Sequence, residues 1–265
     1  MKVACVQLNT GEDYKLNIFK LIRFINLAIK KETDLIITPE ASSILSADKK
    51  KIIANSYSMD NDPLIKEIKT ICKNHKKWIL IGSLFIKERK KIRNRSIMIN
   101  SKGRIEGYYD KINMFDVKLS KKEIHKESDF FTAGKKLKSI NLPWGKLGLT
   151  ICYDLRFPEL YRKLSKKNLN FISVPAAFTK ITGKKHWIPL LRARAIENFC
   201  YIFAPAQTGK NNSKRETFGH SVIISPDGKI LNIKKKSEGI IYSKVDPDLS
   251  MKLRKRIPSL NKNNS

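Results

Sequence analysis

Strand-like and helix-like segments succeed one another in the same order twice along this chain, and that repetition limits the fold more than any other feature. In the first half, Val3 to Leu8 alternates as a strand does, and Leu16 to Lys30 has a wide apolar helical face. Leu35 to Thr38 is a short β-branched run, Pro63 opens a helix to about Lys76, and Trp78 to Phe85 is a strand. Arg95 to Asn100 and Arg104 to Tyr109 pair around the turn Ser101-Lys102-Gly103. The second half repeats the scheme: strand 147–152, helix 158–167, strand 171–174, helix 186–199 and strand 201–206. A hairpin follows around Pro226-Asp227-Gly228, then a last strand from Gly239 to Val245 and a short helix beginning at Asp246-Pro247. Residues 112–139 between the halves are polar and without period, so they are predicted to form a long loop covering a site. Two halves of this design imply an α/β fold of layered sheets with helices outside. No linker divides them, so residues 1–258 are expected to form one domain and residues 259–265 a flexible tail.

At 265 residues the chain is long enough to bury a substantial core, and 41% hydrophobic with 29% charged residues is a globular composition. No apolar run approaches a membrane span, and strand-like sequence from Lys2 leaves no room for a secretory signal. Cys5, Cys72, Cys152 and Cys200 are far apart, which suggests neither a disulfide framework nor a zinc site; a reducing cytoplasm and no metal or cofactor are expected. The net charge of +30 raises nucleic acid as a partner. Against it, lysine supplies 42 of the 54 basic residues, whereas base readout favours arginine, and the clusters are scattered from Lys49 to Arg256. Neither specific nucleic-acid binding nor membrane association is expected.

Three chemically useful side chains stand at predicted strand exits. Cys152 lies between the apolar run Leu147–Ile151 and the helix start at Pro158, Glu40 follows the strand in Thr38-Pro39-Glu40, and Lys111 follows Tyr108-Tyr109-Asp110. Each has an ordinary reading alone: a small buried hydrophobe, a helix-start carboxylate, a solvated lysine. In a layered α/β fold, however, strand exits converge where ligands bind.

Five segments in order then resemble the nitrilase superfamily of carbon–nitrogen hydrolases: Val3 to Leu8, Ile36 to Glu40, Tyr109 to Lys111, Gly148 to Glu159, and Thr217 to Ser221. The resemblance implies a four-layer α-β-β-α sandwich, a small-molecule amide substrate and a homodimer. It also places the superfamily's Glu–Lys–Cys triad on Glu40, Lys111 and Cys152, and a further glutamate on Glu127. A thiol with a pKa near 8.5 is mostly protonated at neutral pH, so a neighbouring carboxylate must take its proton on attack, the part given to Glu40. Lys111 and the backbone N–H of Tyr153 would stabilise the oxyanion, and Glu127 would orient Lys111 or the substrate.

The stretch from Pro175 to Gly183 is expected to be a pocket-lining loop. There Phe178 would pack on the acyl chain and Thr182 would donate to a substrate carboxylate, although a core phenylalanine and a helix cap account for them as well. Residues 191–221 resemble the deaminated-glutathione amidase branch, whereas Thr182-Gly183 with His186-Trp187 is shared with ω-amidases. The first branch implies cleavage of deaminated glutathione to 2-oxoglutarate and cysteinylglycine; the alternative is an ω-amidase acting on 2-oxoglutaramate or another carboxylated or N-carbamoyl amide. Lys184-Lys185 and Pro205 depart from the branch pattern at the pocket rim. A basic scaffold that binds nucleic acid is the non-enzymatic alternative, and it has no evident need for all three triad side chains.

Overall fold

The computed structural model describes residues 1–118 and 124–260; Lys121-Lys122 and positions 261–265 of the expected tail lie outside the described residues. The first half runs β1 (Lys2–Gln7), α1 (Tyr14–Lys30), β2 (Leu35–Ile37), α2 (Lys49–Ala54), α3 (Pro63–His75), β3 (Trp78–Glu88), β4 (Lys91–Ile99) and β5 (Ile105–Asp110). Then come β6 (Asp116–Lys118), β7 (Ile124–Lys126), β8 (Lys138–Leu142), β9 (Gly145–Leu149), α4 (Pro158–Ser165) and β10 (Phe171–Ser173). The remainder is α5 (Lys180–Asn198), β11 (Tyr201–Ala204), β12 (Thr208–Lys210), β13 (Glu216–Phe218), β14 (Ser221–Ile224), β15 (Ile230–Lys234), β16 (Gly239–Lys244) and α6 (Leu249–Arg256).

Two six-stranded sheets form the centre, ordered β16-β1-β2-β3-β4-β5 and β15-β14-β11-β10-β9-β8. Each has three parallel strands in its middle, β1-β2-β3 or β9-β10-β11, flanked by antiparallel neighbours. The two sheets are thus built to one plan, as the repeated element order implies. The plan is completed by a crossover: β16 pairs with β1, from Lys2↔Lys244 to Gln7↔Gly239, and so belongs to the first sheet. The matching position in the second sheet is taken by β8, a strand the sequence did not announce.

Side-chain alternation assigns the faces of the first sheet. Val3, Cys5, Leu35, Ile37, Leu80 and Met98 join the core shared with the second sheet. Their neighbours Ala4, Val6, Ile36, Ile79, Ile81 and Ile97 pack against Leu21 and Ile25 of α1 and Ile65 and Ile68 of α3. On the other side, Leu160 and Leu164 of α4 and Trp187 and Leu191 of α5 cover the second sheet. The result is a four-layer α-β-β-α sandwich. Asp13 and Asp62 cap α1 and α3 by accepting from Leu16 and Ile65 N–H, each at 3.0 Å. Among the described residues no helix is long and apolar enough to cross a membrane.

Two readings need correction. The expected loop 112–139 contains the antiparallel strands β6 and β7, a 3-10 turn at Glu127–Asp129 and the start of β8. Three-residue strands with exposed lysines show no hydrophobic period, which is why they were invisible. Helix α5 starts at Lys180, six residues before His186, so Thr182 and Gly183 lie in its first turns instead of a loop.

Candidate active site

Glu40, Lys111 and Cys152 leave their sheets at the same end of the sandwich. Glu40 stands three residues beyond β2, Lys111 immediately follows β5, and Cys152 opens a 3-10 helix (Cys152–Arg156) just after β9. Cys152 has φ +47°, and Ala41 beside Glu40 has φ +54°, the left-handed region that non-glycine residues enter at a cost of about 1–3 kcal/mol. The sharp turn at Cys152 is held by its N–H, which donates to Pro175 O at 2.9 Å. Lys111 is held from both sides: its N–H donates to Asn94 O at 3.0 Å, and its carbonyl accepts from Gly134 N–H at 2.8 Å. A Cβ at position 134 would overlap the Asp110 carbonyl, so glycine there is what lets the two segments meet.

Asp154 ties the lysine segment to the cysteine turn. Its buried carboxylate accepts from Tyr109 Oη (2.8 Å), Asn113 N–H (3.0 Å), Asn113 Nδ2 (2.8 Å) and Ile151 N–H (2.9 Å). Two donors therefore flank Lys111 in sequence and a third directly precedes Cys152. Burial pushes the Asp154 pKa up, against the pull of these donors.

The charged centre is compact. Lys111 Nζ lies 2.9 Å from Glu40 Oε1 and 2.8 and 3.0 Å from the Glu127 carboxylate oxygens. Asn94 Nδ2 donates to both acids, at 2.9 Å to Glu40 and 3.2 Å to Glu127. The other Glu40 oxygen accepts from Ala177 N–H at 2.8 Å, and Glu127 Oε2 accepts from Phe115 N–H at 2.6 Å. Lys111 is only 2% exposed and Glu40 only 4%, so this ion cluster is shielded from water.

Burial pushes the Cys152 thiol well above the usual range, with the negative charge of Glu40 adding to it and Lys111 and Arg215 opposing. Burial alone would raise Glu40 too, but Lys111, Arg215 and hydrogen bonding hold it below the usual carboxylate value. Lys111 moves upward: burial disfavours its charge, and the charges of Glu127 and Glu40 outweigh that. At neutral pH the resting site therefore holds a protonated thiol beside a carboxylate and an ammonium, a base set against an acid with a proton still to move.

All seven residues expected to work here, Glu40, Lys111, Glu127, Cys152, Tyr153, Phe178 and Thr182, line one cavity of about 320 Å³. Its apolar wall includes Phe131, which packs on Phe85 at 4.6 Å, and Phe178, which packs on Trp187 at 5.1 Å. Thr182 Oγ1 already shares a 2.8 Å hydrogen bond with Thr179 Oγ1. Tyr153 Nα–H belongs to the first turn of a 3-10 helix, where N–H groups lack partners within the helix. Sequence reasoning missed Asn94, Asp154 and Arg215. Asn94 sits between two arginines in a basic strand, and Asp154 and Arg215 were visible only as letters within motifs. Among the described residues no group of three His, Cys, Asp or Glu side chains is placed to hold a metal.

The sandwich thus brings an acid, an ammonium and a thiol together at one end, and the similarity to known proteins gives the class, a hydrolase acting on carbon–nitrogen bonds. The chain belongs to the carbon–nitrogen hydrolase family, whose profile matches residues 2–255. It is 36% identical over 270 residues to a deaminated glutathione amidase of Yersinia enterocolitica, covering 98% of this chain and 92% of that protein. Among solved structures, the C. elegans NitFhit protein superimposes with a TM-score of 0.92 at 31% identity, over 99% of this chain and 65% of that longer one. A Saccharomyces cerevisiae member of branch 10 of the nitrilase superfamily gives 0.88 at 28% identity, over 99% and 96%.

Proposed function

We propose that this enzyme hydrolyses a linear amide of a small carboxylated substrate, deaminated glutathione first among them, through a thioester on Cys152. The observation that carries the reading is the 2.9 Å contact of Glu40 with Lys111 in the cavity that Cys152 also lines. Cys152 Sγ attacks the amide carbonyl carbon as its proton passes to Glu40, which the neighbouring cations keep ionised. The resulting oxyanion is held by Lys111 Nζ and the Tyr153 N–H; each such donor elsewhere contributes about a hundredfold or more in rate. Collapse breaks the carbon–nitrogen bond, and the departing amine takes the proton from Glu40. Water then gives its proton to Glu40 and attacks the thioester, and the carboxylic acid leaves as the thiol is regenerated. Glu127 acts through Lys111, fixing the ammonium and balancing its charge.

The preferred substrate follows from the similarity to deaminated glutathione amidases, and its products would be 2-oxoglutarate and cysteinylglycine. The purified enzyme is to be assayed with deaminated glutathione and 2-oxoglutaramate side by side, with mass spectrometry for an acyl adduct on Cys152. A kcat/KM ratio in favour of 2-oxoglutaramate would transfer the assignment to ω-amidase. Undiminished turnover by Cys152→Ala would end the covalent mechanism. We also expect a cytoplasmic homodimer, which light scattering and fractionation would test.

A further inference from the structure

The cations around the cavity are not equally engaged. In the resting site Lys111 donates to Glu40 and Glu127. Arg215, the last residue of the turn between β12 and β13, donates from Nη2 to Ala177 O at 2.6 Å. Its Nε is shielded from solvent and has no hydrogen-bond partner among the described residues. A guanidinium carries five N–H donors in a planar fork matched to a carboxylate, and a shielded donor left unmade is unfavourable. The anchoring contact also fixes the fork relative to the chemistry, because Ala177 N–H binds Glu40 Oε2. Arg215 further lines an adjoining surface depression together with Lys210, Lys214 and the Lys180–Glu216 ion pair (2.7 Å), so net positive charge continues outward from the cavity.

We propose that Arg215 receives a carboxylate of the substrate through its fork, so that the site selects amides bearing an acid over neutral amides of the same length. The inference rests on the amidase reading above and names the residue that holds the substrate's acid. A substrate without the acid leaves the buried Nε unpaired, and sites built around such groups reject the lacking analogue strongly. Two ends of an amide can supply the carboxylate: the far end of the acyl chain, or the leaving amine.

The test compares glutaramate, whose acyl chain ends in an acid, and N-pentanoylglycine, whose leaving amine carries one, each against pentanamide. The readout is the ratio of kcat/KM for each acid to that for pentanamide, in wild type, Arg215→Gln and Arg215→Lys. The guanidinium charge also bears on Glu40 and Cys152, so the ratio, not the absolute rate, carries the result. Loss of about ten- to a hundredfold in one of the ratios supports the proposal and identifies which end is held. Arg215→Lys, which keeps the charge but not the fork, should recover only part of it and guards against misfolding of the glutamine variant. Ratios unchanged in both variants would overturn the proposal while leaving the amidase reading standing. A wild-type enzyme that turns over none of the three amides would overturn the proposal, and one that also leaves deaminated glutathione and 2-oxoglutaramate intact would overturn the amidase reading with it.

Discussion

Replacing Lys111 by methionine removes one charge from a cluster in which a buried carboxylate, Glu40, and a half-buried one, Glu127, depend on it. Lys111 touches Glu40 at 2.9 Å and Glu127 at 2.8 and 3.0 Å, with side-chain exposures of 2%, 5% and 13% for the three groups. Removing one partner of a buried ion pair elsewhere costs about 3–5 kcal/mol, because the remaining charge is left uncompensated. Two effects should therefore appear together. Urea unfolding at neutral pH should show a loss of that order, and turnover should fall at least a hundredfold because an oxyanion donor is gone. The acid limb of the residual rate should also move upward: without the ammonium, burial of Glu40 is opposed by Arg215 and fewer hydrogen bonds. The double variant Lys111→Met with Glu127→Gln removes one negative charge as well. It should regain much of the stability and none of the activity. A Lys111→Met enzyme that unfolds as wild type and keeps more than a tenth of its turnover would refute the reasoning, and so would a double variant no more stable than the single one.

Two further outcomes follow from the same geometry. Because Glu40 titrates below the usual carboxylate value, kcat/KM should hold its plateau down to about pH 5 and fall only as pH drops through the lowered Glu40 pKa. An acid limb centred near neutrality in a pH–rate profile would contradict this assignment of the base. Asp154→Asn retains the side chain's shape but sets an NH₂ against donors from Tyr109, Asn113 and Ile151. It should lose about 1–3 kcal/mol in urea unfolding and lower kcat more than it raises KM, since both catalytic segments lose their common tie.

The layered plan and the three central side chains were legible because each depends on local signals. A β-branched run ending in Thr38-Pro39-Glu40, or an apolar run ending at Cys152, announces a strand and its exit within a few residues. What escaped depends on partners far along the chain. Lys138-Ser139-Ile140-Asn141-Leu142 is polar enough to pass for loop, and becomes a strand because β9 offers it an antiparallel edge. Gly239–Lys244 was recognised as a strand, but nothing in its own residues says that it joins β1 in the other sheet. The start of α5 was hidden by Gly183, a residue that weakens a helical pattern without preventing this one. In the site, Asn94 and Arg215 are ordinary surface letters until the fold turns them on Glu40 and Ala177.

The pairing of β1 with β16 has a consequence during synthesis. Gln7 of β1 pairs with Gly239 of β16, so β1 meets this edge neighbour only after every element between the two has emerged. At a ribosomal pace of about 5–20 residues per second, that interval lasts roughly ten seconds to a minute. Throughout it β1 presents a bare hydrogen-bonding edge, where a nascent polypeptide is most exposed to aggregation and to chaperone capture.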